Sequence, residues 1–370
     1  MVALWSGLGG TYYYPEQKHQ DQILQFLDTC REHGISRLMP YFPRQETIFR
    51  FAGPPSDPGE SQPRKTLADY YHQQGWDPLG FLVEEAGKRA IAVQPYWAVF
   101  YAGVRVPDWN AKYPRQLPVL SISRWADAHP EMWRRTRSGQ SSLEEKGYVI
   151  LSPAFAEVRA REITLFKELV ERYPLDGVTL EFLDGSLDEG GCTRLGYEEP
   201  VVERFQSAEG RDPFQIPNCD PQWLRERTKD FDQFLWELST VLRKVRADLN
   251  ISAVFTSRGS EREYLNLMQD WGKWTAEGWL DELCPWHRHS DLEVMECETQ
   301  ALKEITGGAG ILTAVLGTWK EDTLRDSSGV VQAAQGVKDH GADRLGIYRA
   351  DSVDYHGLWS ALRAPVFREQ

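Results

Sequence analysis

The stretch 152–184, SPAFAEVRAREITLFKELVERYPLDGVTLEFLD, decides how the rest of the chain is read. Ser152 followed by Pro153 has the form of a helix start: a hydroxyl cap, then a residue whose missing N–H costs nothing in the first turn. Ile163, Phe166 and Val170 recur at helical spacing, and Leu165 and Leu169 widen the apolar face. Pro174 stops the helix and Asp176-Gly177 turns the chain. Val178, Leu180 and Phe182 then alternate with Thr179, Glu181 and Leu183, the period of a strand. A helix that feeds a buried strand is half of a βαβ repeat.

Working outward, the same unit recurs. VALWSGL is expected as the first strand, followed by a helix over about 17–33 and a second strand at SRLMPYFP. Asp77-Pro78 opens a helix that leads to AIAVQPYWAVF, with Gln94 and Tyr96 on one face and Ile91, Val93 and Pro95 on the other. After the opening helix and strand come a helix over about 223–246, then ISAVFTSRG, LDELCPWHRHS, GILTAVLGTW and RLGIYRADSVD. Eight strands alternating with helices, with no linker or low-complexity segment, predict an α/β fold. The expected form is a (β/α)8 barrel occupying 1–370 as one catalytic unit. Loops after strands two, three and four (about 44–74, 101–151 and 184–221) are long, and loops of that length usually carry function. In a parallel barrel they all leave from one face.

That geometry gives Glu181 its interest. If Val178, Leu180 and Phe182 face the outer helices, Glu181 points inward near the strand's C-terminal end, where such barrels place their chemistry. Burying a carboxylate there without a task is costly. The competing structural reading is a Glu paired with an inward Arg.

Composition narrows the function. Lys and Arg total 42 against 55 Asp and Glu, a net charge of −13, which argues against a nucleic-acid or anionic-membrane partner. Fourteen Trp, 15 Tyr and 15 Phe suit stacking on sugar rings as well as core packing. The five cysteines lack CxxC spacing, so neither a disulfide framework nor a zinc ribbon is expected, with Cys192 and Cys219 the one pair that could meet inside a loop. MVALWSGLGG has neither a basic region nor a sustained apolar stretch, so a soluble, cytoplasmic protein is expected, or a secreted one if a leader has been removed.

Several segments taken together resemble a known family. HPEMW at 129–133, SPAFAEVRA at 152–160 and LDGVTLEF at 175–182 are three of them. DPLGFLVEEAGKRAIAV at 77–93, QDWGKWTAEGWLDELCPW at 269–286 and GIYRADS at 346–352 complete the set. Their order is similar to that of the family 10 glycosylhydrolase-like barrels, a group distinct from the family 10 xylanases, over roughly residues 30 to 360. The resemblance implies a (β/α)8 fold and action on carbohydrate. In the family's strand-four motif an Asp stands where this chain has Glu181, one methylene longer and so about 1.5 Å further out.

Glycoside cleavage usually needs two carboxyl groups flanking the scissile bond. Glu181 is the first; Asp184, Asp291 and Asp351 are the main candidates for the second, with Glu261 and Asp354 behind them. Tyr41, Tyr96, Trp97, Arg258, Trp286, His287 and Tyr348 lie at expected strand ends and are candidates for holding a sugar. No metal or other cofactor is expected to be needed. The competing classes are a metal-dependent hydrolase built on the His287/His289 pair, which needs further ligands from elsewhere, and a non-catalytic carbohydrate-binding barrel.

Overall fold

The computed structural model describes residues 2–7, 16–41, 77–104, 122–183, 187–319 and 322–368. Eleven strands occur among them: β1 (Val2–Gly7), β2 (Arg37–Tyr41), β3 (Ala92–Val93), β4 (Tyr96–Ala98), β5 (Tyr101–Val104), β6 (Tyr148–Ile150), β7 (Gly177–Glu181), β8 (Asn250–Thr256), β9 (Glu282–His287), β10 (Ile311–Gly317) and β11 (Arg344–Tyr348). Nine of them are parallel in one sheet, ordered β1-β11-β10-β9-β8-β7-β4-β2-β3, and β1 also pairs with β2. The sheet therefore closes on itself as a ring of eight positions, and the expected barrel is what forms. Strand three of that ring is split: Gln94-Pro95 separates β3 from β4, and Pro95 has no N–H to give to a ladder.

The longer helices that connect these strands are α1 (Glu16–Glu32), α2 (Pro78–Gly87), α3 (Ala156–Arg172), α4 (Glu199–Glu209), α5 (Pro221–Val245), α6 (Leu292–Ile305), α7 (Ser327–Asp339) and α8 (Ala350–His356). The apolar stripe of α3 is the expected one: Ile163, Leu165, Phe166, Leu169 and Val170 are all buried. On α5, Phe231, Phe234, Leu235 and Leu238 are likewise buried. The start of α3 differs from expectation. Phe155 stands at its N-cap without a side-chain bond. Ser152 instead donates to Glu198 Oε2 at 3.0 Å, because a buried carboxylate from the next excursion claims its hydroxyl. Between β8 and β9 the chain forms two short helices, Glu261–Leu265 and Trp271–Ala276.

Alternation sorts the strands into an outer and an inner face. Val178, Leu180 and Phe182 are buried toward the helices, and the Phe182 ring meets Phe231, Trp271 and Trp274. Inside, the foot of the barrel is polar. Gln94 donates to Thr179 Oγ1 at 3.0 Å and to Ser252 Oγ at 2.7 Å. Arg37 meets Glu282 at 2.6 Å, and Asn250 and Thr313 donate to the same carboxylate. Gly177 fits this foot because an added Cβ would fall 2.4 Å from the Asn250 carbonyl. Above lies an apolar layer of Ala3, Met39, Tyr96, Val254, Cys284 and Val315, on which Trp286 and Tyr348 rest.

The excursions that follow β4 and β7 are tied to one another. Arg135 N donates to Glu198 Oε1 at 2.6 Å, Gly196 N donates to the Arg135 carbonyl, and Arg137 donates to the Tyr197 hydroxyl at 2.9 Å. A disulfide joins Cys192 to Cys219. This is the one pairing the sequence left open, and Cys219 stands directly before Asp220, the N-cap of α5. The expected loop at 44–74 lies outside the described residues, as do 105–121 of the second loop and 184–186 of the third.

Candidate active site

Glu181 is the last residue of β7, in register with Ala98 of β4 and Val254 of β8. Two residues earlier on the same face, Thr179 bonds inward to Gln94 and Ser252, so alternation sends Glu181 into the barrel mouth. Its side chain is partly buried. In the ring of eight, β11 stands four places from β7, directly across the barrel. Tyr348, the last residue of β11, faces it there: burial, and then the Glu181 charge, push the Tyr348 phenol above its ordinary value. Tyr348 therefore stays protonated and can donate a hydrogen bond. Tyr96, from β4, bonds with Tyr348.

An aromatic wall continues from Tyr348. The Trp286 ring lies 4.0 Å from it, centroid to centroid, and Trp319 lies 4.8 Å from Tyr348 and 4.7 Å from Trp286. The Arg288 guanidinium sits 5.2 Å from the Trp286 centroid. Trp319 can lie so close because residue 317 is glycine: a Cβ there would come 2.4 Å from the Trp319 ring. Trp319 and Arg288 were not among the expected site residues. The GTW that ends β10 held the signal, an aromatic two residues past a strand end.

The structure separates the other expected residues. Trp97 is buried on the outer face, stacked on Phe166 of α3 at 3.9 Å, and does not line the mouth. His287 is also on the outer face, fully buried, with Nδ1 3.0 Å from Glu298 of α6. Both corrections have one cause. Tyr96 and Trp97 are neighbours on a strand, as are Trp286 and His287, and neighbours on a strand point to opposite faces. Only the first of each pair can face in.

Arg258 follows β8 and is pinned through its backbone, its N–H donating to the Tyr264 hydroxyl at 2.9 Å. Asp291 caps α6 by accepting from Val294 N at 3.2 Å. Asp351 is exposed and paired with Arg349. Asp354 accepts from Trp359 Nε1, and Glu261 lies in the first turn of a short exposed helix. Tyr41 ends β2 in register with Tyr96, but its side chain lies outside the described residues, as does all of Asp184.

What the mouth can do follows from these groups. A carboxylate at the end of a strand can stabilise positive charge or attack an electrophilic carbon. A phenol across from it can bind an oxygen atom, and flat aromatic faces take the apolar side of a sugar ring.

The protein has relatives with this architecture. The glycoside hydrolase domain of PgaB (BpsB) from Bordetella bronchiseptica superposes with a TM-score of 0.63 at 14% identity, covering 98% of this chain and 97% of that one. A β-galactosidase from the psychrophilic Marinomonas ef1 superposes with a TM-score of 0.60 at 11% identity, covering 94% of this chain and 54% of that one. At such identities the likeness is one of fold. In sequence, the chain is 23% identical over 229 residues to the glycosyl hydrolase DigH of Escherichia coli O6:H1 (strain CFT073), a match covering 57% of this chain. It spans 46% of that relative, about half of its length. The family model described as glycosyl hydrolase-like 10 matches residues 54–307, more than half of the chain, and the protein belongs to that family.

Proposed function

We propose that this protein is a glycoside hydrolase that cleaves an O-glycosidic bond in an oligo- or polysaccharide, with Glu181 as one of two working carboxyl groups. The observation that carries this reading is the position of Glu181. It ends β7 on the inner face, opposite Tyr348 and beside a wall of Trp286 and Trp319. A Glu paired with arginines does occur in this barrel, at its foot, where Arg37 and Arg344 meet Glu282. The names of the related proteins, a glycosyl hydrolase, a glycoside hydrolase domain and a β-galactosidase, support the same reaction class.

As an anion Glu181 would stabilise the oxocarbenium-like transition state or attack the anomeric carbon. The second carboxyl group comes from Asp184, Asp291 or Asp351. Of these, Asp291 and Asp351 are engaged with a helix end and an arginine, which favours Asp184, three residues after Glu181 in the sequence. The test is Glu181→Gln, which keeps size and removes charge. Turnover of oligosaccharides and aryl glycosides should fall on the order of 10³-fold or more, several kcal/mol of barrier, while the unfolding temperature stays close to that of wild type. Asn at 184, 291 and 351 then identifies the acid, whose loss slows poor leaving groups far more than activated aryl glycosides. Equal turnover in wild type and Glu181→Gln would end the assignment of Glu181. Tight glycan binding without any turnover would favour a binding protein instead.

A further inference from the structure

Behind the wall that carries Trp286 lies a cluster the proposed reaction does not use. His287 ends β9 and His289 follows two residues later; both turn to the helix side, where α6 brings Glu298 to meet them. His287 Nδ1 is 3.0 Å and His289 Nε2 3.3 Å from the same Glu298 oxygen, and all three donor atoms lie within 4.8 Å of one another. We propose that His287, His289 and Glu298 bind a single first-row transition dication, zinc foremost, which fastens the exit of β9 to α6.

The donor set and its spacing carry this. Two imidazoles and a carboxylate form a zinc set with one position left for water. At bond lengths of about 2.0–2.1 Å, tetrahedral donors stand roughly 3.3 Å apart, so closing this cluster around an ion needs only small side-chain movements. The ring of His287 is already oriented. Its Nε2 lies 3.3 Å from Thr299 Oγ1, whose own hydrogen goes to the Met295 carbonyl at 2.7 Å. With Nε2–H donating to Thr299, Nδ1 presents its lone pair toward Glu298, the second-shell arrangement that fixes a ligating histidine. The imidazole of His289 is 31% exposed, which gives an ion a way in and a water its place. Because the cluster faces α6 while Trp286 faces the interior, the ion would sit behind the barrel wall. Its role is to hold the segment that positions Trp286 and Arg288, and it is not placed to activate a water at the mouth.

Zinc alone is the probe, titrated by calorimetry into tag-free full-length protein stripped with chelator and dialysed. One equivalent should bind with a dissociation constant of about 10⁻⁶ M or tighter, and the unfolding temperature should rise with zinc. His289→Ala, at a partly exposed position, should fold normally and bind at least ~100-fold more weakly; Glu298→Gln should behave likewise. His340→Ala, at the C-cap of α7 and outside the cluster, should bind as wild type does. Absence of binding at about 10⁻⁴ M zinc, two decades above the expected constant, would overturn the proposal and leave a hydrogen-bonded His–Glu–His cluster. Undiminished binding in His289→Ala would place the ion elsewhere and overturn it equally.

Discussion

The Tyr348 phenol stands across the barrel from Glu181 and feels its charge, which makes a test separate from the carboxylate itself. Tyr348→Phe keeps the ring that rests 4.0 Å from Trp286 and removes only the hydroxyl. A hydrogen bond to a charged group contributes about 1.5–3 kcal/mol, so kcat/KM should fall roughly 10- to 100-fold with little change in unfolding temperature. If kcat/KM is unchanged, the phenol is packing and nothing more. At this scale the sequence was legible wherever the two-residue period could be trusted. Alternation put Glu181 on the inner face, and Tyr96, Trp286 and Tyr348, read from their places at strand ends, lie on the same side of the sheet. Trp97 and His287 were misplaced because chemistry was read into both members of a neighbouring pair, and a strand allows only one to face in. Glu298 was invisible: in LEVMECETQALKEI it is one of four glutamates, and only the packing of α6 against β9 distinguishes it.

Each inward-facing strand carries two kinds of information, a polar foot and a functional mouth, and the foot has consequences of its own. Burial pushes the Glu282 carboxyl up, but the Arg37 charge, followed by hydrogen bonds from Thr313, Arg37 and Asn250, outweighs it and leaves the group below its ordinary value. A carboxyl depressed in the folded state stabilises above its unfolded value of about 4.3, and that stabilisation is lost as pH falls toward and through the folded value. The strand ring should therefore weaken in acid below about pH 4. Glu282→Gln should flatten that acid limb in unfolding curves taken across pH, while costing about 3–5 kcal/mol at neutral pH by removing the charge that Glu282 sets against the buried Arg37. An unaltered acid limb would assign the pH dependence to other carboxylates. Elements with long periodic runs, such as α3, α5 and β10, were readable from sequence because a buried stripe fixes both their type and their facing. The start of α3 was not, since Ser152 serves Glu198, 46 residues away, instead of its own helix. No local motif reports so distant a claim.

For the whole molecule, the ring closes by pairing its first strand with both β2 and β11, while the long excursions after β4 and β7 are bound to each other above it. The Cys192–Cys219 disulfide is the covalent part of that assembly, and around it Arg227 donates to the carbonyls of Thr193, Leu195 and Asn218. The sequence could not announce the bond, because two cysteines 27 residues apart carry no spacing signature, and its existence depends on how α4 and α5 return the loop. Closing a loop of that size restricts the unfolded chain by about 3–4 kcal/mol in the chain-entropy account. Such bonds persist in oxidising compartments and are rare in reducing ones, so the redox state of this pair reports on the compartment the protein occupies. Two measurements address this. Thiol alkylation followed by mass spectrometry, on protein taken from its native source without reductant, should find Cys192 and Cys219 protected and linked, and Cys297, free and exposed, modified. Reduction, or replacement of both cysteines by Ser, should lower the unfolding temperature and hasten proteolysis within 187–219, whereas β7 to β11 should keep their hydrogen-exchange protection. Full alkylation of Cys192 and Cys219 in the native protein would return the molecule to a reducing compartment and leave the two excursions held by their hydrogen bonds alone.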